Sequence, residues 1–569
     1  MPPTTSGIPV AKPAIYLQDA CFGHRYIRSR DLSAIVERPE RLRAVAIGLS
    51  AAISRLEAAR SQTPSPDDLV AQLARLNIES KLSESSVDSP VSIVRSSATA
   101  DILKHPAVKY IHGDIDGDVY LENLVRWIRE SKEKVDKGES EIPAGLSQGD
   151  LYLCPESISA IQGAIGTICE AVDAVLGPNQ TELVNRAFVI IRPPGHHCGE
   201  DTPSGFCFLN NVAVGAAHGN DKFLEFNGGL IIQQLTYNME SIVSSSLILT
   251  CTMARNGTQS IAWQINEETY RQTLESEAGA PVSQTGPQVY YGSIHDILSY
   301  PCEDGKAELV QAASVSIHGS HGQYIENVHL QTYTSVEHWD KLYAEQYSKI
   351  LRKAEEFLDS TGGPGKDVLF FISCGMDASE HEMPSMSRHN RRVPTSFFYQ
   401  FARDACALSD RYAGGKICSV LEGGYSDRAL ISGSMAHLLG LADSSVGADW
   451  WSAENLTLLE KATKSKRGGR PSLPQVNVNP WLNRALAIFS SIDGSPPPTS
   501  TPRAPPPPSS MTLRDRKKPN STVSSPRGKT AASATEASAE SSSSEDSPQV
   551  VSGKKIPRVI LRLGPAPDS

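Results

Sequence analysis

Three apolar runs dominate this chain, and each ends in polar residues. Ala187-Phe188-Val189-Ile190-Ile191 leads into Arg192-Pro193-Pro194-Gly195-His196-His197, the run 367–373 leads to Asp377, and the run 416–421 leads to Gly423-Gly424-Tyr425. Runs of this length, separated by helical stretches such as 337–358, predict buried parallel strands in βαβ units. Function in such open sheets gathers beyond the carboxyl ends of the strands, and all three polar clusters fall there. A long helix is expected near 156–176, with Ile158, Ile161, Ile165, Ile168, Val172 and Val175 at helical spacing. Residues 14–60 read as a strand, a loop and then a helix around Glu37 to Arg43, and the Ser-rich stretch 79–98 as a surface loop. The stretch 480–492 places Trp481, Ala485, Ile488 and Ile492 on one face, so it is expected to dock on the main domain.

Composition bounds the rest. The 569 residues suffice for one large α/β domain with appendages. A net charge of −10 argues against general nucleic-acid binding through the bulk of the chain. Ten cysteines without paired spacing fit reduced thiols, and neither a signal region nor an apolar stretch approaching the roughly 20 residues of a membrane span is evident. The expectation is a soluble intracellular protein. Beyond Asp493 the chain turns to Pro, Ser, Thr and Ala, with a basic patch at Arg514-Asp515-Arg516-Lys517-Lys518, and cannot offset its ordering entropy by burial. Within that tail, the alternation of Ile556 to Leu563 would suit strand addition to a partner, though chance alternation in a disordered terminus is the simpler reading.

Adjacent histidines after a Pro-Pro-Gly turn are held in a fixed direction, and imidazoles exchange protons near neutral pH. Asp377, at the end of its run, can be a metal ligand, a helix cap or a solvated loop residue. Tyr425 follows two glycines that let the backbone turn sharply and aim the phenol, or it is a packing residue. Together with Gly205-Phe206-Cys207-Phe208-Leu209-Asn210-Asn211, these segments resemble the zinc-dependent histone deacetylase family, over roughly residues 14–440. Glu37-Arg38-Pro39-Glu40-Arg41-Leu42, Tyr290-Tyr291-Gly292-Ser293-Ile294-His295-Asp296 and Asn327-Val328-His329-Leu330 resemble further family motifs, in the class II-like version of fungal deacetylases of the Hos3 type.

The resemblance implies an arginase-like α/β fold, an open and mostly parallel sheet flanked by helices, with a catalytic domain over 14–445. It is followed by a helical extension over 446–492 and a disordered tail over 493–569. It implies that His196 and His197 are the catalytic pair, that Gly205 and Phe206 line the acyl-lysine tunnel, that Asp377 is a zinc ligand, and that Tyr425 polarises the substrate carbonyl. The reaction implied is amide hydrolysis, with zinc and Tyr425 polarising the acetyl group and the histidines moving protons between water and the departing amine. The family's rim Asp-Cys-Pro is matched only by Leu153-Cys154-Pro155, so no substrate anchor is assigned there.

The family's Asp-x-Asp-Leu-His-His-Gly, which supplies two of three zinc ligands, is missing. Aligned without gaps from Asn256, its ligand positions are Cys251 and Met253; a thiolate binds zinc, but a thioether binds it poorly. Back-translation from Leu247 to Ala254, read two bases later, forces a glycine codon at the junction of Met253 and Ala254. The preceding junctions permit, in order, Asp, Phe or Ile, Asp, Leu, His and His. The Ser244-Ser245-Ser246 run read the same way yields apolar codons, so the shifted frame supplies a strand as well. Residues 218–255 therefore read as mis-translated, and the strand region as a serine-rich replacement that damages the sheet centre. The expected function is a zinc-dependent protein lysine deacetylase acting on histone tails or other acetyl-lysine proteins, in nucleus or cytoplasm, inactive as written. The tail would meet a chromatin-complex partner, and neither sequence-specific nucleic acid nor membrane is expected. The alternatives are an acetylpolyamine or small acyl-amine hydrolase, and a metal-free pseudo-deacetylase scaffold.

Overall fold

The computed structural model describes residues 12–62, 89–113, 119–177, 184–226, 245–251, 257–279, 286–302, 305–365, 367–386, 389–445, 447, 449–464 and 479–495. Its strands are β1 Ala14–Gln18, β2 Ser92–Ser96, β3 Arg186–Ile190, β4 Ser245–Cys251, β5 Gln288–His295, β6 Ser316–His318, β7 Tyr324–His329, β8 Val368–Cys374 and β9 Ile417–Leu421. They form one sheet in the order β2-β1-β3-β9-β8-β4-β5-β7-β6. Every pairing is parallel except β6 against β7. The helices are α1 Glu40–Gln62, α2 Pro106–His112, α3 Tyr120–Asp136, α4 Ser157–Leu176, α5 Asn211–Phe226, α6 Gly257–Glu277, α7 Ala307–Ala312, α8 Val336–Leu342, α9 Lys349–Ser360, α10 Thr395–Ala413, α11 Asp427–Leu441, α12 Ala453–Thr463 and α13 Pro480–Ile492. This is the expected open, mostly parallel sheet flanked by helices.

The three apolar runs are β3, β8 and β9, and every residue of β8 and β9 is buried. Burial on both faces explains their unbroken apolar character. In the sheet β3, β9, β8 and β4 are consecutive neighbours, so their carboxyl ends lie side by side. The helix expected near 156–176 is α4, and that near 480–492 is α13, which buries Leu482, Ala485, Ile488, Phe489 and Ile492. Arg55 of α1 lies 4.0 Å over the Trp481 ring and the Ser54 hydroxyl donates to the Trp481 carbonyl at 2.7 Å, docking α13 on α1.

Three expectations need correction. Residues 92–96 of the supposed loop are an edge strand, β2, paired with β1 along its whole length. An edge strand buries little, so Ser92-Ile93-Val94-Arg95-Ser96 lacks the apolar run that marks a central one. The helix α4 does have the length and composition of a membrane span, but it lies mostly buried within the protein core. At the centre, β4 pairs with β8 from Ser245 to Thr250 and with β5 from Ser245 to Cys251, so the backbone ladder is unbroken there. The basic patch in the tail, the 556–563 alternation and Met253 lie outside the described residues.

Helices α1 and α11 cross at Gly48, where an added Cβ would sit 2.3 Å from the Ile431 carbonyl oxygen and 2.3 Å from the Ser434 hydroxyl. Gly48→Ala should therefore destabilise the protein by about 1–3 kcal/mol in urea unfolding, because overpacking outweighs the helix preference for alanine. A gain of stability, as alanine gives in an exposed helix, would contradict this crossing.

Candidate active site

The frame of the site is an ion cluster with no exposure. Arg192, at the end of β3, donates through Nε and Nη2 to both oxygens of Glu37, at 2.9 and 2.7 Å. Arg41 donates to the same carboxylate at 2.9 Å, and the Tyr152 hydroxyl adds a bond of 2.7 Å. Burial alone would raise the Glu37 pKa, but Arg192 and then Arg41 hold it well below the usual carboxylate range. Arg192 Nη2 also donates to the Tyr152 hydroxyl at 3.1 Å, and further guanidinium N–H groups go to main chain. Arg192 reaches the carbonyls of Cys21 and His24, while Arg41 reaches that of Gly424 at 2.6 Å and that of Glu422. Arg41 thus grips the turn that carries Tyr425 and lies 5.2 Å from its ring centroid.

The histidine pair is positioned by partners from three elements. His196 is buried, and its Nδ1 lies 2.6 Å from a carboxylate oxygen of Glu422, the residue just beyond β9. The same oxygen accepts from the backbone of Gly195 at 2.8 Å, and Ser373 of β8 donates to its neighbour at 3.1 Å. A hydrogen bond from Nδ1–H to the carboxylate leaves Nε2 as the lone-pair nitrogen of His196. Thr258, at the start of α6, donates to the His196 carbonyl from its backbone at 3.2 Å and from its hydroxyl at 3.1 Å. A Cβ on Gly257 would lie 2.5 Å from the Cys198 carbonyl, so glycine alone lets α6 come this close.

Gly205 and Phe206 form the centre of a tight turn closed by paired backbone bonds between Ser204 and Cys207, at 3.1 and 2.9 Å. Both have positive φ, +49° and +69°, as a two-residue hairpin turn of the primed type requires. For a phenylalanine that conformation is strained, and strain of this kind collects at functional sites. The Phe206 ring stands 5.7 Å from that of Tyr425, and the His197 ring 5.0 Å from Tyr300.

Opposite them, Asp377 follows β8. No helix begins at Asp377; its buried carboxylate instead lines the cavity. A Cβ on Gly423 would lie 2.8 to 2.9 Å from that carboxylate, which explains the glycine. Tyr425 is held by its backbone N–H to Glu382 at 2.7 Å. Burial, then the charge of Asp377, pushes its phenol pKa well up, so it remains a hydroxyl donor. His197, Gly205, Phe206, Asp377 and Tyr425 line one cavity of about 380 Å³, with Ile35, Asp150, Tyr300 and Met386 among its other walls. The structure thus brings together the residues singled out in sequence, with His196 directly behind His197 at 4.2 Å between ring centroids.

A family model described as "Histone deacetylase domain" matches residues 75–225 and 255–441, more than half of the chain. The chain belongs to the histone deacetylase family. It is similar to Histone deacetylase HOS3 of Saccharomyces cerevisiae, 34% identical over 468 residues, covering 80% of this chain and 59% of that protein. It is also similar to Type-2 histone deacetylase 1 of Dictyostelium discoideum, 23% identical over 52% of this chain and 20% of that protein. Polyamine deacetylase HDAC10 of Homo sapiens is 36% identical over 107 residues, 19% of this chain and 15% of that protein. The chain spans 59% or less of the length of these relatives. Among solved structures, the HDA15 HD domain aligns with a TM-score of 0.47 at 17% identity, covering 85% of this chain and all of that one.

The family match stops at residue 225 and resumes at 255, on either side of β4. The register aligns Thr250 with Ser373, so Cys251 comes at the same carboxyl edge of the sheet as Cys374, three residues before Asp377. By residue type, the donors read from the sequence at these positions do not match the zinc ligands that the resemblance implies. Asp377 is a buried carboxylate, while the sequence has cysteine at 251 and methionine at 253, and thioether is a poor ligand for zinc.

Sequence reasoning missed Glu422, Arg192, Glu382, Tyr300 and Thr258. A charged residue ending a fully apolar strand is the signal that would have found Glu422. Two measurements follow. Glu37→Gln should cost about 3–5 kcal/mol in urea unfolding, since two buried cations lose their carboxylate; a loss under about 1 kcal/mol would contradict the cluster's role. Burial, aided at His24 by Arg192, holds His24 and His437 down to about 3, and burial holds His112 down to about 4. Free imidazole titrates near roughly 6.5. These histidines stay neutral when folded and take protons on unfolding, so their contribution is complete above about pH 6.5 and is lost as pH falls toward the folded values. Glu37, with its lowered pKa, acts in the same direction. The urea midpoint should be lower at pH 5 than at pH 7; an equal or higher midpoint would contradict this.

Proposed function

We propose that the cavity takes the acylated side chain of a lysine in a protein, histone tails included, and that the family's zinc-dependent hydrolysis is lost in the chain as written. The supporting observation is the pocket itself. Its histidine pair, turn, aspartate and tyrosine converge, while the family match lapses only across β4 and its flanks. The mis-translated stretch expected at 218–255 narrows to its interior, 226–254, since the family match runs to residue 225 and resumes at 255; there the shifted frame would supply the two missing ligands.

The chain's own residues would act as follows. The walls from Phe206, Ile35 and Met386 would strip water from an unbranched apolar stem. The Tyr425 hydroxyl would donate to the acyl carbonyl oxygen. His196, with Nδ1–H anchored on Glu422, would present Nε2 to a proton, and His197 would serve the departing amine. The similarity to a polyamine deacetylase, together with the Asp150 carboxylate on the cavity wall, supports a second reading in which the substrate is a small acyl-amine. A third, a metal-free scaffold, is supported by the donor set. We place the protein in nucleus or cytoplasm, with its tail available to a chromatin-complex partner.

The test compares the chain as written with one rebuilt to carry Asp-x-Asp-Leu-His-His-Gly over positions 249–255. The rebuilt chain should hold zinc that Asp377→Asn removes, and release acetate from an acetyl-lysine peptide faster than from acetylspermidine. Tyr425→Phe in that chain should lower kcat by about 10²–10³-fold. The chain as written should hold no Asp377-dependent zinc and release no acetate. Asp377-dependent zinc or acetate release in the chain as written would contradict the loss. Preference for acetylspermidine would support the second reading, and inactivity of the rebuilt, zinc-loaded chain the third.

A further inference from the structure

Away from the cavity, side chains with metal-ligand chemistry converge where α2, α4 and α5 meet. Cys169 and Asp173 lie one turn apart on α4, His218 is on α5, and His105 is the residue that caps the start of α2. One ligand atom from each of His105, Cys169 and His218 lies within 4.8 Å of those of the other two. His105 Nε2 stands 3.9 Å from Cys169 Sγ, and the two imidazole centroids are 5.7 Å apart. Tetrahedral zinc, with bonds of roughly 2.0–2.3 Å, spaces its N and S donors about 3.3–3.8 Å apart, so small side-chain rotations would close this set.

Two further features distinguish the cluster from a chance surface contact. The Nε2 of His218 lies 2.9 Å from an Asp173 carboxylate oxygen, the carboxylate–histidine pairing that fixes the tautomer of a metal-binding imidazole. The Nδ1 of His105, the ring nitrogen away from Cys169, is buried with no hydrogen-bond partner among the described residues, so no bond on that side holds the ring against rotation toward an ion. His105 and His218 are half-buried and Asp173 is exposed, which leaves a path for an ion to enter.

We propose that His105, Cys169 and His218 bind a borderline-soft divalent transition metal of the Zn²⁺ or Co²⁺ type, with Asp173 orienting His218 and a fourth position open to solvent. The thiol proton leaves on binding, so the site holds a thiolate and two neutral imidazoles. The ion would tie α2 to α4 and α5. That wall also backs the histidine-pair loop, because His112 of α2 accepts from the Asn210 backbone at 2.8 Å and Asn210 donates to the Cys198 carbonyl at 3.1 Å. The site shares no residue with the cavity, and His218, at the edge of the stretch 218–255, falls within the family match that runs to residue 225.

Co²⁺ titration of the full chain tests it, read as thiolate-to-cobalt charge-transfer absorption. One saturable equivalent is expected, with an absorption that persists in Asp377→Asn and disappears in Cys169→Ser. His218→Gln should weaken binding at least tenfold, and Asp173→Asn about 10–100-fold with the thiolate band retained. Far-UV circular dichroism of each metal-free variant checks folding; if Cys169→Ser fails it, the exposed Asp173→Asn decides. Absence of the band in the parent chain, its survival in folded Cys169→Ser, its loss in Asp377→Asn, or unchanged affinity in Asp173→Asn would each overturn the proposal.

Discussion

One buried carboxylate shared by two guanidinium groups holds this structure in register. Glu37 bridges Arg192 and Arg41 with no side-chain exposure on any of the three. A single carboxylate cannot satisfy two such cations, so their other N–H groups turn to the Tyr152 hydroxyl and to main-chain carbonyls. The carbonyls they take, from Cys21, His24, Glu422 and Gly424, belong to the loop after β1 and to the turn after β9. The cluster therefore sets where the chain leaves β3 toward the histidines and where the turn points Tyr425. Its stability comes from completeness: with one partner removed, a charge is stranded in the interior.

The cavity follows from sheet order. Strands β3, β9, β8 and β4 are neighbours, so chemistry separated by up to hundreds of residues in sequence collects at one edge. Two contacts lock the collection across strands: Glu422 after β9 receives His196 from after β3, and Gly423 leaves room for the carboxylate of Asp377 from after β8. The fourth strand contributes a continuous backbone ladder. An intact sheet position whose sequence departs from the family pattern is what the proposed displacement of the reading frame over one strand would produce.

Much of this was legible in the residues. Apolar runs at β3, β8 and β9 were visible because burial on both faces removes polar alternation, and α4 and α13 because their apolar faces repeat at helical spacing. The edge strand β2 was hidden, since a strand exposed on one side needs no such run. His196, His197, Asp377 and Tyr425 were legible through motif order. Glu422, Arg192 and Thr258 were not, because their roles are contacts between segments far apart in the chain, which no local pattern encodes. The length and composition of α4 would equally suit a membrane, and only its packing within the core distinguishes the two.

The central claim is that a family strand and two ligands lie one reading frame away from the residues 226–254. Sequencing the transcript across codons 215–260 tests it most directly. The expected result is a spliced message that encodes Asp-x-Asp-Leu-His-His-Gly immediately before Asn256 and lacks most of the segment between Phe226 and β4. A message that encodes Leu249-Thr250-Cys251-Thr252-Met253-Ala254-Arg255 as written would contradict it and make this chain a deacetylase fold without its metal.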